Sequence, residues 1–291
     1  MNFWKRAASL QLGPKRYDLS SLFFTFDVPF QDSEELGTAT VAAYNLSQST
    51  RASIKKGMVV ILNAGYEGDV GTIFVGKVSR ASSKKQATDW ITTIEAVEAL
   101  DEWLSKEVNK TYVAGIKASA VLNDLLTMFG LEVGQMELVE DKVYPRGKVC
   151  KGKVKDAISE IVTLDCKSRF LIRNGIITIS DPTKGLNMGF HLSQSTGLLR
   201  STEETEDTET TTNQTTIDNG EEQEPTYRRR CLLNYHLGPA DVVKITSNSL
   251  KGNYLIKGGK HSGSPSGDWI TEIEVKPAGT ETNLPSRSKS G

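Results

Sequence analysis

Asp89-Trp90-Ile91-Thr92-Thr93-Ile94-Glu95 recurs as Asp268-Trp269-Ile270-Thr271-Glu272-Ile273-Glu274, identical at six of seven positions. Both copies are rich in aromatic and β-branched residues, which suit a pleated, half-buried surface. A comparable apolar run lies upstream of each, Met58-Val59-Val60-Ile61 and Asp241-Val242-Val243-Lys244-Ile245. Between run and repeat stand Gly71-Thr72-Ile73-Phe74-Val75-Gly76-Lys77 and Gly252-Asn253-Tyr254-Leu255-Ile256-Lys257-Gly258. The order strand, glycine turn, strand, polar loop, Asp-Trp strand therefore occurs twice. A lone seven-residue match could be coincidence among β-rich sequences; the matched order of flanking strands argues for a duplicated β module. Two copies are too few for a solenoid or propeller. They suit a chain that supplies two equivalent pieces to one closed ring, and a trimer of such chains would present six similar modules.

Around the first copy, Leu22 to Val28 and Thr38 to Tyr44 read as strands. Asn45 to Thr50 is a turn or a short helix start. Gly65-Tyr66-Glu67-Gly68-Asp69-Val70-Gly71 is expected to break the run Met58 to Leu62, because glycine tolerates positive φ. Thr72 to Val78 resumes as strand, and Ser79 to Thr88 reads as a polar loop. The middle of the chain changes character. Ser119 is placed to cap a helix through Phe129, with Val121, Leu122, Leu125 and Leu126 on one face and Gly130 at the C-terminal cap. Val154, Ala157, Ile158, Ile161 and Val162 repeat that spacing in a second amphipathic helix. Phe170-Leu171-Ile172 and Ile176-Ile177-Thr178-Ile179 flank Asn174-Gly175, a strong hairpin signal. Beyond residue 226, Arg230 to His236, Asp241 to Thr246, Asn253 to Ile256 and Trp269 to Val275 read as strands, with Trp90 and Trp269 in the core of their modules.

Residues 201–226 hold no lysine or arginine and a single aliphatic residue, Ile217. Such a stretch cannot bury enough apolar surface to offset its ordering entropy, so a disordered acidic insertion is expected. The tail 277–291, rich in Thr, Ser, Pro and Gly, reads likewise. The plan that results is α+β, mainly β: a β module over 1–100, a small α+β unit of two helices and a hairpin over 101–190, and a second β module over 191–291.

Lysine and arginine total 35 against 36 acidic residues in 291, a formal net charge of -1. That balance argues against a general nucleic-acid binder and against a cationic membrane-surface protein. No stretch approaches the roughly 18 apolar residues of a membrane span, and Met1 to Leu12 lacks the apolar run of a signal peptide, so no membrane anchor is expected. Cys150, Cys166 and Cys231 are an odd, irregular set, not a disulfide framework, and fit assembly in a reducing cytoplasm.

No catalytic constellation stands out, and no catalytic, cofactor or metal residue is assigned. His191, His236 and His261 are scattered and form no His-Glu-x-x-His pattern. Gly263-Ser264-Pro265-Ser266-Gly267 does not match a nucleophile elbow and reads as a turn. Gly65 to Gly71 lacks the Gly-Lys-Ser/Thr ending of a phosphate loop. Glu95 and Glu274 occupy equivalent places in two modules, hard to bring within the roughly 5 to 10 Å that glycoside cleavage needs. Asp101, Glu102 and Glu107 read as a solvated face. Arg228-Arg229-Arg230 is expected to pair with local carboxylates or with an acidic partner.

The ordered set Tyr44-Asn45-Leu46-Ser47, Ile54-Lys55-Lys56-Gly57, Ala64-Gly65-Tyr66-Glu67-Gly68, Gly71 to Gly76, Ser195-Thr196-Gly197-Leu198-Leu199, Cys231-Leu232-Leu233-Asn234, Asp241 to Ile245 and Gly258-Gly259-Lys260-His261-Ser262 resembles the baseplate hub family of long-tailed phages, phage-tail-like bacteriocins and contractile injection systems. The resemblance runs from Trp4 to about Pro277, and none of its stretches is a catalytic signature. It implies a homotrimer in the tail baseplate of a virion or tail-like particle. Each subunit would give two tube-like antiparallel β-barrel domains to a ring that adapts a six-fold tail tube to a three-fold spike. Tube or adaptor proteins would sit above and the spike below, with tape-measure protein and DNA passing through unspecifically. No cofactor is implied. The acidic stretch stands as an insertion relative to this pattern. The rival readings are a tail-associated cell-wall hydrolase and a receptor- or glycan-binding tail protein.

Overall fold

The computed structural model describes residues 5–33, 35–98, 105–187, 189–199 and 226–278. The acidic insertion at 201–226, save Thr226, falls outside them, as do the tail beyond 278 and Asp101 and Glu102. The first stretch of chain forms β1 (Arg6–Leu12), β2 (Lys15–Asp18), β3 (Phe24–Gln31), β4 (Thr38–Tyr44), α1 (Gln48–Ser53), β5 (Val59–Tyr66), β6 (Asp69–Gln86) and β7 (Asp89–Val97). The middle forms β8 (Glu107–Tyr112), β9 (Ile116–Lys117), α2 (Ala118–Phe129), β10 (Glu132–Met136), β11 (Val143–Tyr144), β12 (Lys148–Lys153), α3 (Val154–Ser159) with a π-helical turn over Glu160–Asp165, β13 (Arg169–Arg173) and β14 (Ile176–Ser180). The last part forms β15 (Phe190–Ser193), a 3-10 turn (Gln194–Thr196), β16 (Tyr227–Leu232), β17 (Val242–Thr246), β18 (Lys251–Gly263) and β19 (Trp269–Pro277).

The chain is α+β, dominated by β structure, and the internal repeat is a repeat of pairing. β5-β6-β7 is an antiparallel meander, and so is β17-β18-β19. β4 lies antiparallel on the far edge of β7 as β16 lies on β19. Thr92 sits between Ala43 and Ser83, and Thr271 sits between Cys231 and His261. Against the Asp-Trp strand each middle strand shifts register once, near Val78 in β6 and near Ile256 in β18. The two modules are not separate sheets. β3 pairs with β18, so one sheet of 12 strands runs β15-β17-β18-β3-β4-β7-β6-β5-β1-β2, with β19 beside β18 and β16 beside β19.

Three buried clusters underlie this plan. In the first, Leu10 of β1 and Phe24 of β3 belong to one core although four strands separate them in sheet order, so the sheet wraps around its contents. The second joins α2, α3 and the β13–β14 hairpin through Leu122, Leu125, Ile158 and Ile177. The third is built from Leu192, Val243, Ile245, Ile256 and Val275. The hairpin turn is the expected one: Asn174 and Gly175 both have positive φ, and Ile172 faces Ile177. Gly130 caps α2 in the left-handed conformation.

Several expectations are corrected. Of the two readings of Asn45 to Thr50, the short helix start is the one realised, and Ser47 caps α1 by accepting a hydrogen bond from Thr50 N–H. Ser119 is not the cap of α2; Asp141 accepts hydrogen bonds from its N–H and its hydroxyl, each at 2.9 Å, and serves the helix end from another segment. Gly65 and Gly71 do not break the strands. The turn is Glu67-Gly68, and the two other glycines are needed for close approach: a Cβ on Gly65 would meet Asp69 O, and one on Gly71 would meet the Tyr235 ring. Ser79 to Thr88 is not a loop either. β6 continues to Gln86 and pairs with β7 throughout. Its sequence lacks alternation because Arg80 to Gln86 are solvent-exposed on both faces.

The paired tryptophans diverge. Trp269 is buried, and it enters the first core rather than that of its own module, donating Nε1–H to Gly65 O at 3.1 Å. Trp90, expected in the core, is 38% exposed and lies under the Arg51 guanidinium at 3.8 Å. The same residue therefore has two energetic roles. Trp269→Ala is expected to lower the unfolding free energy by about 3–5 kcal/mol, and Trp90→Ala by about 1 kcal/mol or less, in denaturant titrations of the two variants.

Candidate functional site

The three units meet at Asp32, in the connection from β3 to β4. Its carboxylate takes Arg169 Nε of β13 at 2.8 Å and Lys257 Nζ of β18 at 2.6 Å. Asp32 and Arg169 side chains are 3% and 5% exposed, so this is a buried ion pair with a third charge at its edge. Arg169 spends its remaining donors on the carbonyls of Pro182 and Lys184, at 2.7 and 3.0 Å. The Asp32 N–H also donates to Lys257 O. A second tie joins Arg173 to Asp241, fully buried at the start of β17, at 3.1 Å, with Asn187 donating to the other carboxylate oxygen at 2.7 Å. Burial pushes the Asp241 carboxyl up, against the opposing pull of Arg173 and Asn187.

Glu98 closes the third side, at the end of β7. Its Oε1 accepts the Asn174 N–H at 2.7 Å, and Oε2 is buried with no hydrogen-bond partner among the described residues. Burial pushes this carboxyl up to about 7, although Asn174, Arg173 and Gly37 oppose the shift. Gly37 is needed here, because a Cβ would lie 2.9 Å from the Glu98 carboxyl carbon. Two further contacts tie the first module to the last. Tyr235 donates its hydroxyl to Asp69 at 2.8 Å. Arg6 donates to the carbonyls of Ser264, Pro265 and Gly267 at 2.8, 3.2 and 2.7 Å.

Between these ties lies a cleft of about 1800 Å³, walled by β3, β16 and β18 and reached by Glu98, Arg173 and Asn174. Its charged rim is internally matched. Across β16 and β19, Arg230 pairs with Glu272 at 2.7 Å and Arg228 reaches Glu274 at 3.9 Å. The arginine triplet thus finds local carboxylates, with Arg229 donating to Ser249 at 3.0 Å. His261, buried in β18, meets the Thr271 hydroxyl at 2.9 Å, and burial lowers its imidazole to about 3. It is a neutral, packed side chain at ordinary pH. His191 meets Thr246 at 3.0 Å, and His236 stacks on Tyr235 at 3.9 Å. The three histidines are not brought together. Cys150, Cys166 and Cys231 are free and buried, and burial raises all three thiols, Cys231 to about 12. A thiol held protonated is a poor nucleophile. Glu95 lies opposite Arg80 and Glu274 opposite Arg228, on different repeats. Glu107 starts β8, exposed. Among the described residues no group of three His, Cys, Asp or Glu side chains is placed to hold a metal ion. The residues that organise the site, Asp32, Arg169, Lys257, Arg173 and Glu98, carried no signal in the sequence. Each is a single charge beside an apolar run, and the partners lie up to 225 positions apart.

Neither a family model nor a curated protein matches this sequence. Solved structures do match its fold. A tail protein from Neisseria meningitidis MC58 aligns over 95% of this chain and 98% of its own at a TM-score of 0.66 and 9% identity. The fold is that of phage tail proteins. The 43 kDa tail protein of prophage MuSo2 from Shewanella oneidensis aligns over 94% and 99% at 0.66 and 10% identity. The E. coli c3393 protein aligns over 92% and 76% at 0.60 and 10% identity. It is a component of the type VI secretion system with structural similarity to the bacteriophage T4 tail proteins gp27 and gp5.

Asp32→Ala leaves the Arg169 guanidinium buried without its counter-charge. A loss of about 3–5 kcal/mol is expected in denaturant unfolding, whereas Lys257→Ala, removing the partly exposed partner, costs less. Glu98 sets a pH dependence. Its folded-state pKa is raised, so its contribution to stability is full below about 4.5 and is lost as pH rises through about 7. Wild type should lose up to about 3 kcal/mol between pH 5 and 8 that Glu98→Gln retains, by denaturant titration at each pH. Parallel pH profiles of the two proteins would refute this.

Proposed function

We propose that this chain is a structural subunit of a tail baseplate, a hub that forms a homotrimeric ring and adapts a six-fold tube to a three-fold spike. The observation that carries the reading is the repeat of pairing: β5-β6-β7 with β4, and β17-β18-β19 with β16, related residue by residue at Thr92 and Thr271. One chain thus holds two equivalent β modules, and three chains supply six. The likeness to phage tail proteins and to a type VI secretion component supports the same reading. The buried ties at Asp32, Asp241 and Glu98 join the two modules to the α+β unit, which suits an adaptor held between tube and spike. Tube or adaptor proteins would stack on one face of the ring and the spike on the other. Tape-measure protein and DNA would traverse the channel, and a net charge of -1 suits passage without retention.

We read the chain as non-catalytic. The protonated Cys231 thiol, the neutral buried His261 and the separation of Glu95 and Glu274 onto different repeats support that reading. No helix among the described residues is long and apolar enough to cross a membrane. The protein would be part of the tail of a virion or tail-like particle. Negative-stain electron microscopy of the concentrated protein, alone and with its spike, is expected to show rings with three-fold or apparent six-fold symmetry around a hole. Single compact particles in both samples, or release of peptidoglycan fragments by the pure protein, would overturn the hub reading.

A further inference from the structure

The two middle strands of the repeat differ in one respect. In β18, residues 258 to 263 are paired on both edges, with β19 on one side and β3 on the other. In β6, the equivalent residues are paired on one edge only among the described residues. The equivalence follows from the register: Ser83 faces Thr92 as His261 faces Thr271, and the two threonine hydroxyls, each buried, meet those partners at 3.0 and 2.9 Å. Arg80 to Lys85 therefore correspond to Gly258 to Gly263. β5 leaves β6 at Lys77, and beyond that point the outer edge of β6 has no ladder partner among the described residues. All residues from Arg80 to Gln86 are exposed, whereas Gly258, His261 and Gly263 are buried under β3.

We propose that the outer edge of β6 from Arg80 to Gln86 is a strand-pairing site for a second copy of this chain, used between copies as the edge of β18 is used within one. This rests on the ring reading above and names the joint that reading needs. The joint inside the chain has a donor, β3, and an acceptor, β18. Carried to the second repeat, the same joint would match the β6 edge, an acceptor without a ladder partner among the described residues beyond Lys77, with a donor, the segment equivalent to β3. That segment begins at Gly197–Leu199, where Leu198 bridges Cys231 as Phe24 pairs with Ala43. Cys231 and Ala43 correspond because they face Thr271 and Thr92. A donor and an acceptor of matching type on one chain generate a head-to-tail contact, which closes into a ring when the rotation divides a full turn.

Charge selects the occupant. The β6 edge carries Arg80, Lys84 and Lys85, and no acidic residue occurs from Ser79 to Thr88. Two such edges repel each other, as basic residues on exposed edge strands commonly ensure. The sequence after Leu199 has the opposite sign in balance, with Arg200 followed by Glu203, Glu204, Glu206 and Asp207. Size also differs between the joints. β18 offers Gly259 and Gly263 beneath Phe30 and Phe26, where a Cβ would clash with either ring. β6 offers Ala81 and Lys85 at those places, so no glycine is there for an aromatic ring to lie across, and the sequence from Arg200 to Asp207 holds no aromatic residue.

The test compares wild type with the triple variant Arg80→Glu, Lys84→Glu, Lys85→Glu, by sedimentation equilibrium and by amide hydrogen exchange across a concentration series. All three side chains are exposed, and with the residue 80 carboxylate now opposite Glu95 the variant monomer is expected to melt only slightly below wild type. Wild type should assemble with slowed exchange within 80–86, and the variant should assemble at least tenfold more weakly, with those amides fast. A wild-type trimer whose 80–86 amides exchange freely, or a variant that assembles like wild type, overturns the joint while the ring stands. Wild type that stays monomeric with its spike present, with those amides fast, overturns joint and ring together.

Discussion

A single buried carboxylate, Asp32, holds the architecture together. Taking an aspartate and an arginine out of water costs several kcal/mol per charge, and only close geometry with further hydrogen bonds offsets it. Asp32 and Arg169 meet that demand, because Arg169 also donates to two carbonyls and Lys257 supplies a second cation. The three charges come from the first module, the α+β unit and the second module. Each unit must be in place before the cluster is satisfied, so it ties the positions of the three units to one another. Apolar packing alone would tolerate small slips between units; a buried charge with one geometry of satisfaction does not.

The continuous sheet depends on that fixed arrangement. β3 leaves the first module and covers the edge of β18 with Asp32 directly beyond its end. The aromatic side chains of β3 lie across strand glycines, so backbone and rings come closer than any other residue would allow. The repeat then ceases to be symmetric. Trp269 lies at the module joint, where Gly65 O and the core of β1, β3 and β5 receive it. Trp90, at the corresponding place, is 38% exposed and lies under the Arg51 guanidinium. Two copies of one sequence element thus differ by whether another module stands against them.

Much of this was legible in the sequence, and the residues show why. The Asp-Trp repeat, the Asn174-Gly175 turn, the Gly130 cap and the apolar face of α2 are local codes. Each depends on side-chain period or on backbone conformations that few residues adopt, so each can be read within a dozen positions. Ser79 to Thr88 reads as a loop because an exposed strand has no buried face to impose alternation. Gly65 and Gly71 read as turn residues because a glycine needed for close approach looks the same in sequence as one needed for positive φ. Asp141, which serves the start of α2, lies 22 residues from Ser119, beyond the range of a local capping pattern.

The sequence by itself determined the β-dominated class, the duplicated module and the separate α+β character of the middle, because hydrophobic period and turn chemistry are properties of short stretches. Only the tertiary structure decided that the two modules share one sheet, that Asp32, Arg169 and Lys257 meet, and that one edge of β6 beyond Lys77 has no ladder partner among the described residues. Those outcomes depend on which strands come to lie beside each other across up to 225 positions. Pairing of that range is selected by the combined burial and charge balance of all three units, and no single segment encodes it.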